Sequence, residues 1–520
     1  MNKILKKVLI VVGIVLAVLL VAGTGIFFYV RSRFMGPSIE IKAADNSTVA
    51  STEYGDVKGY ISDSGIYTYH GIPYAEAKER FVVASEPEHW DGVLDATEYG
   101  KISPQGAILG MSVSESDNAD NNSQNLNVWT PGLDGEKRPV MVWLHGGGFS
   151  MGSANDSMYD GTNLAKYQDV VVVGVNHRLN IYGYLDLTAY GEKYEHSDNV
   201  GMMDIIQSLE WIHDNIEQFG GDPDNITVFG QSGGGAKVLS LMTSPYAKGK
   251  FQKAIVQSGA TETMGVTFST KEASLALTES ILSELGITEA NIEDIQTVSN
   301  MDLQNAASKA LKEVGTEFKI PESLGNGYNM EWGPVIDGDF MPTNPVTEDG
   351  FGQAGADVPL LIGSNLEEWA AMGGLTHEKT DELTKAYKAA YPNEDAGRVT
   401  NVDSFIRLPM LKIMAHKADQ NGADVYGYVF TKQEIGYGSY HGAEISYVFH
   451  NSSSSNGLNE LMSSIWGNFA RTGVPSAKGL DTWEPYTRDG EATMILDEKS
   501  YLTHAHDTEL MHILEPDYIW

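Results

Sequence analysis

The chain contains no cysteine in its 520 residues. That absence excludes disulfides, thiolate nucleophiles and cysteine-ligated zinc. It does not assign a compartment, because exported proteins can also lack disulfides. Positive charge is scarce, with 35 Lys and Arg against 70 Asp and Glu, for a formal net charge of −35. No basic stripe interrupts the acidic surface, so nucleic acid is excluded as a partner and anionic headgroups are repelled. The excess reads as solubility charge spread over loops, with a steering field for cationic substrates as the alternative. Internal repeats and low-complexity tracts are also missing. What remains is a globular composition: 42% hydrophobic, 10% aromatic, and 55 glycines, many in turn-like clusters.

Long apolar runs are absent but for one. Lys3, Lys6 and Lys7 precede an uncharged stretch from Val8 to Val30, which Arg31 and Arg33 close. As a helix this stretch is long enough to cross a hydrocarbon core of about 30 Å. The expectation is a basic cytoplasmic segment at 1–7, a transmembrane signal-anchor at 8–30, a linker at 31–37 and a catalytic domain at 38–520. The lysine side faces the cytoplasm, which puts the domain outside the cell membrane on a single-pass anchor. Val21-Ala22-Gly23 is a small-residue cleavage candidate, and cleavage there would give a secreted protein instead.

Short β-branched runs then alternate with helical patterns. The runs are Val140 to Leu144, Val170 to Val175, Ile226 to Phe229, Ala254 to Val256, Val358 to Ile362 and Val425 to Phe430. Such runs suit strands buried on both faces. Ile205, Leu209, Ile212, Ile216 and Phe219 follow steps of four and three, which predicts a helix between two of them. The alternation predicts an α/β fold with a mostly parallel central sheet flanked by helices. Residues 262–320 and 372–422 are longer helical patterns. They are expected as insertions over the carboxyl end of the strands, where open α/β sheets bind ligands.

Gly230-Gln231-Ser232-Gly233-Gly234 fits G-x-S-x-G, the pattern of a nucleophile elbow. The pattern is short, and Gly148-Phe149-Ser150-Met151-Gly152 fits it too. Context separates them. Ser232 follows the Ile226 to Phe229 run and precedes the helix-like Ala236 to Met242, whereas Ser150 lies in a glycine-rich loop with no helix signal behind it. His145-Gly146-Gly147-Gly148 follows another apolar run, as an oxyanion-hole loop does in lipases and esterases. Bare glycines there let the N–H groups of Gly147 and Gly148 approach one point, and Gly233 adds a third donor.

These residues resemble the type-B carboxylesterase family, the cholinesterase and para-nitrobenzyl-esterase branch of the α/β-hydrolases. Gly71-Ile72-Pro73-Tyr74-Ala75, Leu126-Asn127-Val128-Trp129-Thr130-Pro131 and Phe219-Gly220-Gly221-Asp222-Pro223 are similar to its landmarks, as is Asn468-Phe469-Ala470-Arg471-Thr472-Gly473. The resemblance implies an α/β-hydrolase fold and hydrolysis of small carboxylic esters through an acyl-enzyme, without cofactor or metal. It also supplies the partners of Ser232. Gly363-Ser364-Asn365-Leu366-Glu367-Glu368 matches the family's acid pattern and His441-Gly442-Ala443-Glu444 its base pattern. The implied triad is Ser232, Glu368 and His441, with Gln231, Ser258 and Glu444 as supporting neighbours.

Four departures stand out. Gln231 takes the place of a usual glutamate, Gly233 of an alanine and Trp369 of a glycine. Asn121 and Asn122 replace an acidic pair that makes a salt bridge in the family. The alternatives to an esterase are a membrane-tethered binding module on the same fold, or an amidase or lactonase using the same triad. The sequence fixes neither the natural substrate nor the oligomeric state.

Overall fold

The computed structural model describes residues 40–105, 118–322, 327–348, 350–372, 376–434, 436–453 and 457–520. The six β-branched runs become six adjacent, parallel strands. They belong to a sheet of twelve: β1 (Ile41–Ala43), β2 (Tyr60–Ser62), β3 (Tyr67–Pro73), β4 (Asn125–Thr130), β5 (Arg138–Leu144), β6 (Val171–Val175), β7 (Gly221–Gln231), β8 (Lys253–Gln257), β9 (Leu360–Asn365), β10 (Val425–Phe430), β11 (Ala492–Leu496) and β12 (Tyr501–His504). In space the order is β1-β2-β3-β4-β6-β5-β7-β8-β9-β10-β11-β12. Pairing is parallel from β6 to β11 and antiparallel at both ends.

Side-chain alternation builds two cores. Val140, Val142 and Leu144 of β5 enter the larger cluster, while Met141 and Trp143 enter the smaller one on the opposite face. Both faces are covered, which is why β6 reads as almost pure valine and is buried throughout. The predicted amphipathic helix forms as α1 (Val200–Asn215), with Ile205, Leu209 and Ile212 fully buried. The helix after the elbow, α2 (Gly233–Thr243), is buried along its whole length.

The first expected insertion forms as two helices packed together, α3 (Lys271–Leu285) and α4 (Asn300–Glu317). Thr270 and Ser299 cap them by accepting from Ala273 N and Asp302 N. The second stretch divides. Its outer part is α5 (Asp381–Ala390), but α6 (Arg407–Asp419) lies against β9 and β10. It is therefore the crossover helix that two parallel neighbours require, and not a cap over the site.

The membrane expectation is corrected. No helix among the described residues is long and apolar enough to cross a membrane. At 18 residues α4 has the length, but Asp302, Lys309, Lys312, Glu313 and Glu317 line it. Among the described residues the fold is therefore the α/β-hydrolase arrangement without a membrane-crossing helix, and single-pass localisation is not supported. The 1–7, 8–30 and 31–37 segments lie outside the described residues. An apolar run of 23 residues establishes a length sufficient for spanning and nothing more.

Two further contacts tie the amino-terminal segments to the sheet. The Arg178 guanidinium donates from Nε and Nη2 to Asp204 at 2.9 and 2.6 Å, and both side chains are fully buried. Its Nη1 reaches the Val82 carbonyl at 2.7 Å. The Asn121 amide donates to the Ala77 carbonyl and Asn122 accepts from Ala77 N. Side-chain amide hydrogen bonds thus hold the loop there.

Candidate active site

Three candidate residues sit beyond the carboxyl ends of β7, β9 and β10. Ser232 follows β7 directly and takes φ 56° and ψ −128°. For a residue with a Cβ this is a strained conformation, costing on the order of 1–3 kcal/mol. Two backbone bonds support it: Ser232 N donates to Gln257 O at 2.8 Å, and Ala236 N donates to Ser232 O at 3.1 Å. The serine thus projects from a sharp strand-to-helix turn. Ser150 has no such setting, because it lies in a loop and no helix follows it directly.

Glu368 and His441 meet. His441 Nδ1 lies 2.6 Å from Glu368 Oε2, and His441 N donates to Glu368 O at 2.7 Å. The carboxylate is fixed in turn, since Asn365 N donates to its Oε1 at 2.7 Å. Glu367 turns the other way and pairs with Arg398 at 2.6 Å, so the two adjacent acids serve different partners. Burial opposes charge on His441, but the Glu368 carboxylate and its hydrogen bond outweigh it, with Glu444 and Asp403 adding. The net result raises the imidazole above its usual 6.5. Asp403 is pushed up to about 7, by burial first and then by Glu368.

Two departures close around the same histidine. The Gln231 amide nitrogen lies 3.1 Å from His441 Nε2. The Trp369 indole stacks on the ring, with centroids 4.9 Å apart and planes 21° from parallel. Phe405 packs edge-on against that indole at 6.3 Å.

The glycine loop lies against the elbow. Gly147 and Gly148 have φ of 93° and 62°. A Cβ on Gly147 would lie 2.4 Å from Met151 O, so glycine is required by space as well as by conformation. A Cβ on Gly233 would lie 2.4 Å from Gly148 N and 2.2 Å from Gly148 O. The Gly148 peptide therefore packs directly on the first residue of α2. Among the described residues, no acceptor engages the N–H groups of Gly147 or Gly148.

Ser258 and Glu444 lie under the site. Ser258 takes φ 47° at the end of β8, and its N donates to Gly363 O at 2.7 Å. Buried Glu444 accepts from Gln257 Nε2 at 3.0 Å and from Asn365 Nδ2 at 2.7 Å. It braces the ends of β8 and β9 and makes no hydrogen bond with His441. Burial, then the charge of Glu368, raises its pKa. Sequence reasoning passed over Gln257, Asn365 and Lys237. For Lys237 a signal existed: it is the one charge in the apolar stretch Ala236 to Met242.

Two cavities flank these residues. One, of about 310 Å³, lies beside Phe149 and is walled by Met264, Phe268, Phe318 and Trp332. The other, of about 150 Å³, is bordered by Tyr159, Gln231, Tyr440 and His441. Aromatic and aliphatic walls suit the apolar parts of a small organic ligand.

The chain is similar to known esterases over most of its length. A model of the carboxylesterase family matches residues 46–396 and 380–512. The para-nitrobenzyl esterase of Bacillus subtilis (strain 168) is 31% identical, over 90% of this chain and 98% of its own length. Carboxylesterase 4A of Bos taurus is 30% identical over 85% and 90%. Among solved structures, an esterase from anaerobic Clostridium hathewayi that can hydrolyze aliphatic aromatic polyesters has a TM-score of 0.82. It is 32% identical and covers 93% of this chain and all of its own. The chain belongs to the carboxylesterase family, and it is a carboxylic-ester hydrolase.

Proposed function

We propose that ester hydrolysis runs through Ser232, His441 and Glu368 and an acyl-enzyme on Ser232. The observation that carries this reading is the 2.6 Å contact between His441 Nδ1 and Glu368, beyond the same strand ends where Ser232 takes its strained conformation. With Nδ1–H given to Glu368, the lone pair of His441 lies on Nε2. That nitrogen takes the Ser232 Oγ proton as the oxygen attacks the ester carbonyl. The Gln231 amide touches Nε2 in the resting structure and gives way at this step.

The carbonyl oxygen becomes an oxyanion, received by the N–H groups of Gly147, Gly148 and Gly233. The alcohol leaves with the proton from Nε2. Water then loses a proton to the same nitrogen and attacks the acyl-serine, which releases the acid and restores Ser232. The cavity beside Phe149 suits an aromatic or branched aliphatic portion of the ester, and the cavity beside His441 a smaller one.

Hydrolysis of p-nitrophenyl esters from acetate to octanoate, beside Ser232→Ala, tests the reading. Turnover lost in the variant supports the acyl-enzyme route. Turnover that survives would sink it.

A further inference from the structure

Lys237 stands five residues after Ser232 on α2 and is completely buried. Lysine is seldom found there without a counter-charge. Its Nζ donates to the carbonyls of His145 and Gly148, at 3.0 and 2.7 Å. The Phe149 ring lies 5.2 Å from the ammonium. Among the described residues, no carboxylate is paired with it.

We propose that Lys237 is a positioning residue for ester hydrolysis, whose ammonium ties both ends of the glycine loop to the nucleophile helix. This rests on the reading of Gly147, Gly148 and Gly233 as oxyanion donors. The His145 carbonyl belongs to the peptide that enters the loop and the Gly148 carbonyl to the peptide that leaves it. Holding both fixes the two peptides between them, whose N–H groups are those of Gly147 and Gly148. The Gly148 carbonyl is drawn into the space where a side chain at 233 would begin. The loop and the elbow therefore meet backbone to backbone.

The charge has a second effect. Titratable groups facing Lys237 are His145 and His177, whose rings stack at 5.1 Å. Burial, then the Lys237 charge, pushes His145 down to about 3 and His177 well below its usual value, so both stay neutral. Carbonyl dipoles and the Phe149 ring balance the ammonium until negative charge forms on the substrate oxygen. Stabilisation is thus greater in the transition state than in the ground state, which is the condition for raising kcat. Burial pushes Lys237 itself down to about 7. Its positive charge is lost as pH rises through that value.

Lys237→Met and Lys237→Gln, assayed on p-nitrophenyl butyrate, test the proposal. For the methionine variant, kcat should fall about 100-fold with KM within about threefold, the scale of an oxyanion donor lost. Glutamine, which keeps an N–H donor, should recover part of it. Affinity for a trifluoromethyl ketone, which forms the oxyanion on Ser232, should fall in parallel. Affinity for the matching methyl ketone should hold. Unchanged kcat and ketone affinity in folded variants would overturn the proposal.

Should neither variant fold, wild-type protein decides. Its trifluoromethyl ketone affinity, relative to the methyl ketone's, should pass through a maximum between about pH 5 and 10, rising as His441 loses its proton and weakening as Lys237 loses its own. Relative affinity that rises to a plateau and does not fall overturns it. Loss of turnover in Ser232→Ala alongside normal Lys237→Met would remove this inference and leave the triad reading intact.

Discussion

The Gln231 amide nitrogen lies 3.1 Å from His441 Nε2, the ring nitrogen opposite the one that meets Glu368. In the proposed mechanism the imidazole must be neutral to accept a proton from Ser232. Glu368, Glu444 and Asp403 favour its charged form and hold its pKa above 6.5. kcat/KM should therefore rise with pH through a midpoint above 6.5, be lost below it, and fall again where Lys237 gives up its proton. Gln231→Glu places another carboxylate beside the ring and should move that midpoint up by about one unit. Profiles of both proteins between pH 5 and 9 check the sign. A midpoint that stays still or falls would show that residue 231 does not tune the base.

The stacked Trp369 bears on the same ring from its face. An imidazolium over an indole gains about 0.5–2 kcal/mol. Trp369→Ala should lower kcat/KM for a small acetate ester roughly 2- to 30-fold. The vacated volume should also favour bulkier esters relative to acetate. Competition between acetate and benzoate esters reads both effects in one assay.

Gly233→Ala addresses the contact between loop and elbow. Its Cβ would sit 2.2 Å from Gly148 O, and backbone must move to admit it. The shift displaces the proposed oxyanion donors, so kcat should fall about 100-fold or more. Circular dichroism should remain that of the native fold, since α2 accepts alanine readily. Activity within threefold of wild type would show that the loop repositions freely.

Stability rests partly on Arg178 and Asp204, both buried and joined through two nitrogens. Asp204→Ala strands the guanidinium in the core and should destabilise by about 3–5 kcal/mol. Urea unfolding followed by tryptophan fluorescence measures it. A loss under about 1 kcal/mol would mean that Val82 O and solvent satisfy the guanidinium without the acid.

Much of the parallel sheet was legible in the chain. Strands covered on both faces must be apolar in succession, and that pattern marked all six of its adjacent central members. The antiparallel edges β1 to β3 were not marked, because β1 and β2 span three residues each, β1 buries none of them, and β3 mixes buried with half-exposed positions in no regular order. α6 was read as part of an insertion because composition cannot tell a crossover from a cap. Its contact with β9 and β10 settles which it is.

Around Ser232 the sequence by itself determined the elbow and the glycine loop. Both are local: a strained φ and a Cβ-free turn are demanded within a few consecutive residues, and glycine is what meets the demand. Glu368 and His441 were placed by resemblance to a family, since 73 residues separate them and no local pattern records their 2.6 Å contact. Tertiary structure alone decided the surroundings of that pair. Gln231 at Nε2, Trp369 on the ring face and Lys237 beneath the loop each act across space on groups far away in the chain. Hydrogen bonds and stacking depend on distance and direction, which chain order does not carry until the sheet brings its strand ends together.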